Sequence, residues 1–254
     1  MEGNRAVYFD AVSNIIESAV SGFNATIFAY GQTSSGKTYT MMGTEEDPGV
    51  NKQAVEQLFY AVEDSPDRIF LMQVSYMEIY NENVIDLLAK PGSDKAAASL
   101  KVRENEQGSV FVEGVTMIPV MDQEEVFSIM EQGERNRHYA ETKMNDRSSR
   151  SHTIFRIVLE STNRLDDTMD EEAGKHVMIS HLNLVDLAGS EKAGQTGAEG
   201  TRYTPLLLLI ISGTHLGLTA YAVSARFGLK HSYTQFKVDE LHVKVCPKRL
   251  ICLD

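Results

Sequence analysis

Apolar residues recur along this chain with two different periods. Val12, Ile15, Ile16, Ala19, Val20 and Phe23 fall at helical spacing and predict an amphipathic helix over 11–23. Thr26–Tyr30 is a short, apolar, β-prone run and predicts a strand. Helical pattern opens at Lys37, is interrupted by the acidic loop Thr44–Gly49, and resumes from Asn51 to about Ala61. Asp64–Asp67 reads as a turn, and Ile69–Tyr80 as a long strand. Asn81-Glu82-Asn83 is a cap for a short segment ending Asp86-Leu87-Leu88, and Lys90–Ser99 a loop. Val102–Val120 alternates around Gln107-Gly108-Ser109 and predicts a hairpin. Asp122 caps a helix reaching about Arg137. Strands follow at Thr153–Glu160 and Val177–Val185, separated by the polar connector Asn163–Lys175. Strands alternating with helices predict an α/β domain with a central sheet, mixed and mostly parallel, flanked by helices. No internal repeat is visible.

The chemistry sits where these elements change. Gly31-Gln32-Thr33-Ser34-Ser35-Gly36-Lys37-Thr38 matches the phosphate-loop pattern G-x-x-x-x-G-K-[ST] at every fixed position, between a predicted strand and a predicted helix. Glycines at both ends let backbone N–H groups turn onto phosphate oxygens, and the helix N-terminus adds partial positive charge. Lys37 is positioned to reach the β- and γ-phosphates, and the Thr38 hydroxyl to ligate Mg²⁺. A Gly/Ser-rich turn matching by chance is the competing reading, and the flanking elements disfavour it. Val177–Val185 ends in Asp186, where a carboxylate can contact a metal-bound water. Gly189, three residues on, can bring a backbone N–H against the γ-phosphate with no Cβ in the way. Asn145-Asp146-Arg147-Ser148-Ser149-Arg150-Ser151-His152 sets serine hydroxyls beside arginines, a run able to close over a phosphate and its metal. Its bland alternative is a solvated loop before the next strand.

Composition narrows the class further. At 254 residues the chain is long enough for a sizeable core, and a net charge of −12 argues against a nucleic-acid partner. Cys246 and Cys252 form no disulfide framework or zinc pattern, which fits a reduced, intracellular setting. No targeting peptide is visible at Met1–Arg5.

GQTSSGKT, NDRSSRSH and LVDLAGSE, in this order, resemble the phosphate loop, switch I and switch II of a kinesin motor domain. Gly22–Tyr30 and Ser75–Glu82 are similar to that family too. Gly133–Met144 and Ser180–Glu191 resemble its centromere-associated branch more narrowly, and the likeness covers roughly residues 7 to 202. The resemblance implies ATP/ADP and Mg²⁺ as cofactors, microtubule-stimulated ATP hydrolysis, tubulin as partner and a cytoplasmic, cytoskeletal location, with kinetochore or spindle as a finer expectation. It implies that Lys37 holds the β/γ-phosphates within a loop of Gly31, Gln32, Thr33, Ser34, Ser35 and Gly36. Thr38 and Ser149 would serve Mg²⁺, with Asp186 on a magnesium water and Ser148 beside Ser149 in the closing loop. Gly189 would sense the γ-phosphate, and Arg150 with Glu191 would form the ion pair linking the switches. Phe23 and Tyr39 match positions whose rings flank adenine, core packing being their alternative.

Departures from the family bound these expectations. The family's first strand, with its Arg-x-Arg-Pro motif, has no counterpart, and after Arg202 the text leaves the family pattern at Tyr203-Thr204-Pro205. The main microtubule-binding helix, the last sheet strand and the oligomerisation region are expected to be missing. Thr26–Tyr30 would then lie at an open sheet edge. Residues 203–254 carry six Lys/Arg against three Asp/Glu, a net +3, so residues 1–202 hold a net −15 and the whole chain −12. Pro205–Ala225 lacks charge, yet Ser212, Gly213, Thr214, His215, Gly217 and Thr219 weaken it as a membrane span. The expected organisation is a partial motor domain over 1–202 and a divergent tail over 203–254, a product of truncation or alternative splicing. A non-enzymatic nucleotide-binding or folding-defective fragment is the alternative reading. A GTPase is disfavoured because no Asn-Lys-x-Asp string occurs.

Overall fold

The computed structural model describes residues 3–90, 92–93, 99–106, 110–141, 150–164, 177–190, 219–224, 243–246 and 250–253. Its first two helices are α1 (Asn4–Ala11) and α2 (Ser13–Val20), which meet at Val12. The single helix expected over 11–23 is therefore shorter, with a second helix ahead of it that polar Asn4, Arg5 and Asp10 conceal from an apolar-period reading. Ile15, Ile16 and Ala19 of α2 are buried. Full burial of an Ile side chain contributes about 1.5–3 kcal/mol, so this face anchors the helix to the sheet.

Strand β1 (Ala25–Tyr30) leads into α3 (Lys37–Met42), and α4 (Val50–Glu63) follows the acidic loop. Next come β2 (Arg68–Tyr80) and β3 (Asn83–Asp86). Asn81 (φ 49°) and Glu82 (φ 65°) are both left-handed, and Tyr80 pairs with Asn83. Two central residues at positive φ make the tight turn that suits a right-handed twisted hairpin. The expected cap is thus a β-turn, because the apolar Val84 finds a place in the sheet rather than in a helix.

The expected hairpin is present as β4 (Lys101–Glu104) against β5 (Val110–Glu113). Its last stretch, β6 (Ile118–Val120), leaves the hairpin and pairs instead with β2. Helix α5 (Gln123–Glu141) starts as expected at Asp122, whose Oδ1 accepts the Glu125 N–H at 2.8 Å. The Glu125 carboxylate in turn accepts the Met121 N–H at 2.8 Å, so the first turn and the chain entering it are tied in both directions.

Strands β7 (Ser151–Asn163), β8 (Met178–Asp186), β9 (Thr219–Ser224), β10 (Val243–Cys246) and β11 (Leu250–Leu253) complete the set. The large sheet runs β10-β11-β9-β1-β8-β7-β2-β3, with β6 also on β2. It is mixed, but the expected parallel majority is not found. Only β1 pairs in parallel, with β8 and with β9, and the remaining described pairs are antiparallel. Short connections such as Asn81–Glu82 favour reversal of direction, because a parallel pair needs a long crossover. The expected open edge at β1 is also corrected: β9 covers it, from Ala25↔Thr219 to Tyr30↔Ser224. Backbone pairing needs no sequence motif, so a segment without a recognised pattern can still supply it.

Ile27, Val74, Tyr76, Phe155, Ile157, Leu182 and Leu184 from the sheet share one core with α1, α2, α4 and α5. Gly133 lets α5 approach this face, since a Cβ there would lie 2.2 Å from the Tyr76 ring. Met77, Ile79, Ile154 and Val185 form a smaller cluster with Val84 and Val112. A buried polar bridge also ties the central strands in register. Arg156 Nε donates to Asn183 Oδ1 at 2.7 Å, and Asn183 Nδ2 donates to Thr26 Oγ1 at 2.9 Å. The pairings Thr26↔Asn183 and Arg156↔Asn183 place these side chains across β1, β8 and β7. That register has a consequence for chemistry, because it fixes which strand ends arrive together.

Candidate functional site

Parallel pairing of β1 with β8 runs to Ala29↔Asp186, and antiparallel pairing of β8 with β7 to Thr153↔Asp186. One edge of the sheet therefore receives the end of β1, the end of β8 and the beginning of β7. The glycine-rich loop, the Asp186–Ser190 turn and the Arg150-Ser151-His152 segment converge there from separate parts of the sequence.

Within the loop, Ser34 takes φ 63° and Gly36 φ 92°. The glycine meets no Cβ penalty in that left-handed region, immediately before α3 begins at Lys37. Lys37 is buried, and its Nζ donates to the carbonyls of Gly31 at 3.0 Å and Gln32 at 2.9 Å. The ammonium thus lies back across its own loop. Ser35 is buried as well, and its hydroxyl has no hydrogen-bond partner among the described residues.

The Thr38 hydroxyl donates to Asp186 Oδ2 at 2.6 Å. Asp186 Oδ1 is buried and has no hydrogen-bond partner among the described residues. Burial pushes the Asp186 carboxyl up, opposed by the Thr38 hydrogen bond and by the charges of Arg137 and Lys37. A carboxylate held this way, with one oxygen unused, suits a hard cation that takes oxygen ligands and keeps several waters. Among the described residues no group of three or more His, Cys, Asp or Glu could hold a metal by itself. The donor set fits Mg²⁺, which commonly takes one or two carboxylates together with phosphate oxygens.

The turn after β8 is tied on both sides of Gly189. The Ser190 N–H donates to the Gly31 carbonyl at 3.1 Å, and the Ala188 N–H to His152 Nδ1 at 3.0 Å. Burial, helped by the Lys37 charge, pushes His152 down to about 4, so the ring is neutral near pH 7. The Arg150 guanidinium lies over the Tyr80 ring, 5.9 Å from its centroid. Ser148, Ser149 and Glu191 lie outside the described residues, as does the expected Arg150–Glu191 pair.

Phe23 and Tyr39, the expected base-flanking rings, are 51% and 49% exposed, so neither is core. No ring-on-ring contact joins them; Tyr39 instead donates its hydroxyl to Asp47 at 2.9 Å. Sequence reading assigned no role to the polar group beneath the site. Tyr76 donates to Glu134, Arg137 lies 3.7 Å from that carboxylate, and Arg137 Nη2 donates to Ser151 Oγ at 3.3 Å. These residues come from β2, α5 and β7, and no local spacing signals their meeting. Among the described residues no helix is long and apolar enough to cross a membrane; most of Pro205–Ala225 lies outside them.

Comparison with known proteins agrees with this geometry. The family model described as the kinesin motor domain matches residues 1–207. Centromere-associated protein E of Homo sapiens is 51% identical over 201 residues, which are 79% of this chain and 7% of that protein. Kinesin-like protein KIN-7I of Oryza sativa subsp. japonica is 50% identical over 196 residues, 77% of this chain and 16% of that protein. The chain thus spans a small part of the length of these relatives. A solved structure of a fast kinesin superposes with a TM-score of 0.68 at 37% identity, covering 82% of this chain and 56% of that one. With the loop, the Asp186 turn and the β7 segment meeting at one sheet edge, the chain belongs to the kinesin motor domain family.

Proposed function

We propose that this chain binds ATP and ADP with Mg²⁺ and carries the hydrolytic core of a microtubule motor. The observation that carries this reading is the Thr38–Asp186 contact, 148 residues apart in sequence, with Asp186 Oδ1 buried beside the phosphate loop and taking no hydrogen bond from the described residues. Thr38 and Asp186 would hold the metal, with Ser149 as a further hydroxyl, and Mg²⁺ when bound would neutralise charge on the phosphate oxygens. Lys37 would exchange its bonds to Gly31 and Gln32 for the β- and γ-phosphates. Loop amides of Gly31–Gly36 would cradle the phosphates, and Gly189 would present its N–H to the γ-phosphate. Ser148 and Ser149 would close over the site, with Arg150 and Glu191 latching the closure. Phe23 and Tyr39 would flank the base.

Microtubules are the partner inferred from family membership, and the cytoskeleton the setting. Likeness to a centromere-associated protein favours the kinetochore or spindle as its place of action. Residues 1–202 would form the motor part and 203–254 a separate tail, although β9 supplies backbone pairing to β1. Thermal unfolding with and without Mg²⁺-ADP tests the site, because a ligand that binds only the native state must raise the midpoint. A rise in the parent that is abolished in Lys37→Ala supports it. No rise in either sinks it. ATP turnover stimulated by added microtubules tests the motor assignment; binding without stimulated turnover would reduce the chain to a nucleotide-binding fragment.

A further inference from the structure

The β7–β8 ladder ends at Thr153↔Asp186, and beyond that pair the two chains part. Ala188, two residues past the ladder, still has its N–H satisfied, but by a side chain: His152 Nδ1 accepts it at 3.0 Å. On the other side of Gly189, the Ser190 N–H is held by the Gly31 carbonyl at 3.1 Å. Gly189 is therefore suspended between one tie to β7 and one tie to the phosphate loop. For Nδ1 to accept, the ring must be neutral with its proton on Nε2. Burial and the nearby Lys37 charge favour that neutral form.

We propose that His152 is a positioning residue, which fixes the Ala188 amide through Nδ1 and so holds the Gly189 N–H where it distinguishes a nucleoside triphosphate from a diphosphate. This rests on the nucleotide reading above and adds to it a residue that contacts no nucleotide. The effect is selective by construction. A diphosphate offers no γ-oxygen to Gly189, so loosening the turn leaves diphosphate binding to the loop and Lys37. A triphosphate loses a well-aimed hydrogen bond. Because His152 is the second residue of β7, the same contact connects the start of that strand to the turn after β8.

The test compares the full chain with His152→Asn, His152→Gln and His152→Ala. Asn places an acceptor oxygen near the Nδ1 position, whereas the Gln oxygen falls near Nε2 and Ala has none. Dissociation constants for Mg²⁺-ADP and for the non-hydrolysable β,γ-imido analogue of ATP are measured by displacement of a fluorescent nucleotide. Hydrogen exchange of the peptide spanning 187–190 is followed without nucleotide. The Ala and Gln variants are expected to lose about tenfold in triphosphate-over-diphosphate preference, with the diphosphate constant within about twofold of the parent. Exchange over 187–190 should accelerate in both, and Asn should restore both properties. Equal preference in all four chains would overturn the proposal. So would parallel loss of both nucleotides, or an Asn variant no better than Gln. If Ala does not fold, the Asn–Gln contrast decides. If the parent shows no Lys37-dependent binding of either nucleotide, the nucleotide reading fails separately, and exchange settles the clamp. Acceleration in Gln but not Asn supports it; unchanged exchange overturns it.

Discussion

Lys37 and Tyr39 are two residues apart on α3, yet Lys37 is 8% exposed and Tyr39 49%. Positions i and i+2 of a helix face roughly opposite ways, so one short helix presents its start to the sheet edge and its other side to solvent. On the side proposed to take phosphate, several of the expected residues have identified contacts. Lys37 lies across the loop, Thr38 on Asp186, and Gly189 between two held amides. On the side proposed for the base, Phe23 and Tyr39 are half-exposed rings, and the Tyr39 hydroxyl is tied to Asp47. The difference teaches that the sheet register builds the proposed phosphate side, whereas the proposed base side rests on an exposed residue of α3, Tyr39, and on Phe23 just beyond α2.

The largest effect should come from Lys37→Ala. It removes the buried cation that faces the loop carbonyls, and charge-assisted bonds to phosphate are among the strongest available. A loss of about 100-fold or more in ADP affinity is expected, near 3 kcal/mol, measured by titration of a fluorescent nucleotide. A loss under about threefold would erase the contrast between the two sides.

Asp186→Asn should separate metal binding from folding. Burial raises the Asp186 carboxyl, so its ionised form costs stability, and that cost appears as pH rises through the folded-state value. A neutral amide removes the cost while still accepting from Thr38. The urea midpoint without ligand at pH 7 should therefore rise, while the extra stabilisation by Mg²⁺ with ADP should fall by about tenfold in apparent affinity. A variant less stable than the parent without ligand would show that the carboxylate is held by partners rather than waiting for one.

Acidification probes how tightly β7 and β8 are enclosed. His152 and His181 are both pushed down to about 4, mainly by burial, with Lys37 acting on the first and Arg156 on the second. A depressed folded-state value means the unfolded chain binds more protons below pH 6.5, so stability is complete above 6.5 and lost as pH falls towards 4. Each ring should cost on the order of 2 kcal/mol by pH 5, read from urea midpoints at pH 7 and 5. His181→Gln should flatten this slope without touching the site, since His181 lies five residues back from Asp186 along β8.

Much of this was legible in one dimension. The phosphate loop and Asp186 were readable because each is a contiguous string with strand or helix on a known side. Long periodic runs such as Val50–Glu63 and Arg68–Tyr80 were readable for the same reason. The Tyr76–Glu134–Arg137–Ser151 group was not, because its members come from β2, α5 and β7, and only packing brings them together. Asn81–Glu82 misled because neither residue is glycine, although both adopt positive φ. Strand β9 was invisible for a different reason. Its partner β1 demands an extended backbone and nothing more specific, so no signature is needed.

The smallest expected effect lies on the base side, and it asks what holds Tyr39 in place. Asp47 accepts the Tyr39 hydroxyl at 2.9 Å and also the Asn4 N–H at 2.9 Å, while Asn4 Nδ2 donates to the Tyr39 carbonyl at 3.2 Å. The ring is thus steadied by the start of α1 through one carboxylate. Tyr39→Phe keeps the ring and removes only the hydroxyl, so ADP affinity should change by less than about threefold, as expected for one solvent-accessible hydrogen bond. Asp47→Ala should do more, because it also frees the Asn4 amide that begins α1. If Tyr39→Phe weakens ADP as much as Asp47→Ala, the hydroxyl itself is part of base recognition. The base side would then be built as specifically as the phosphate side, despite its exposure.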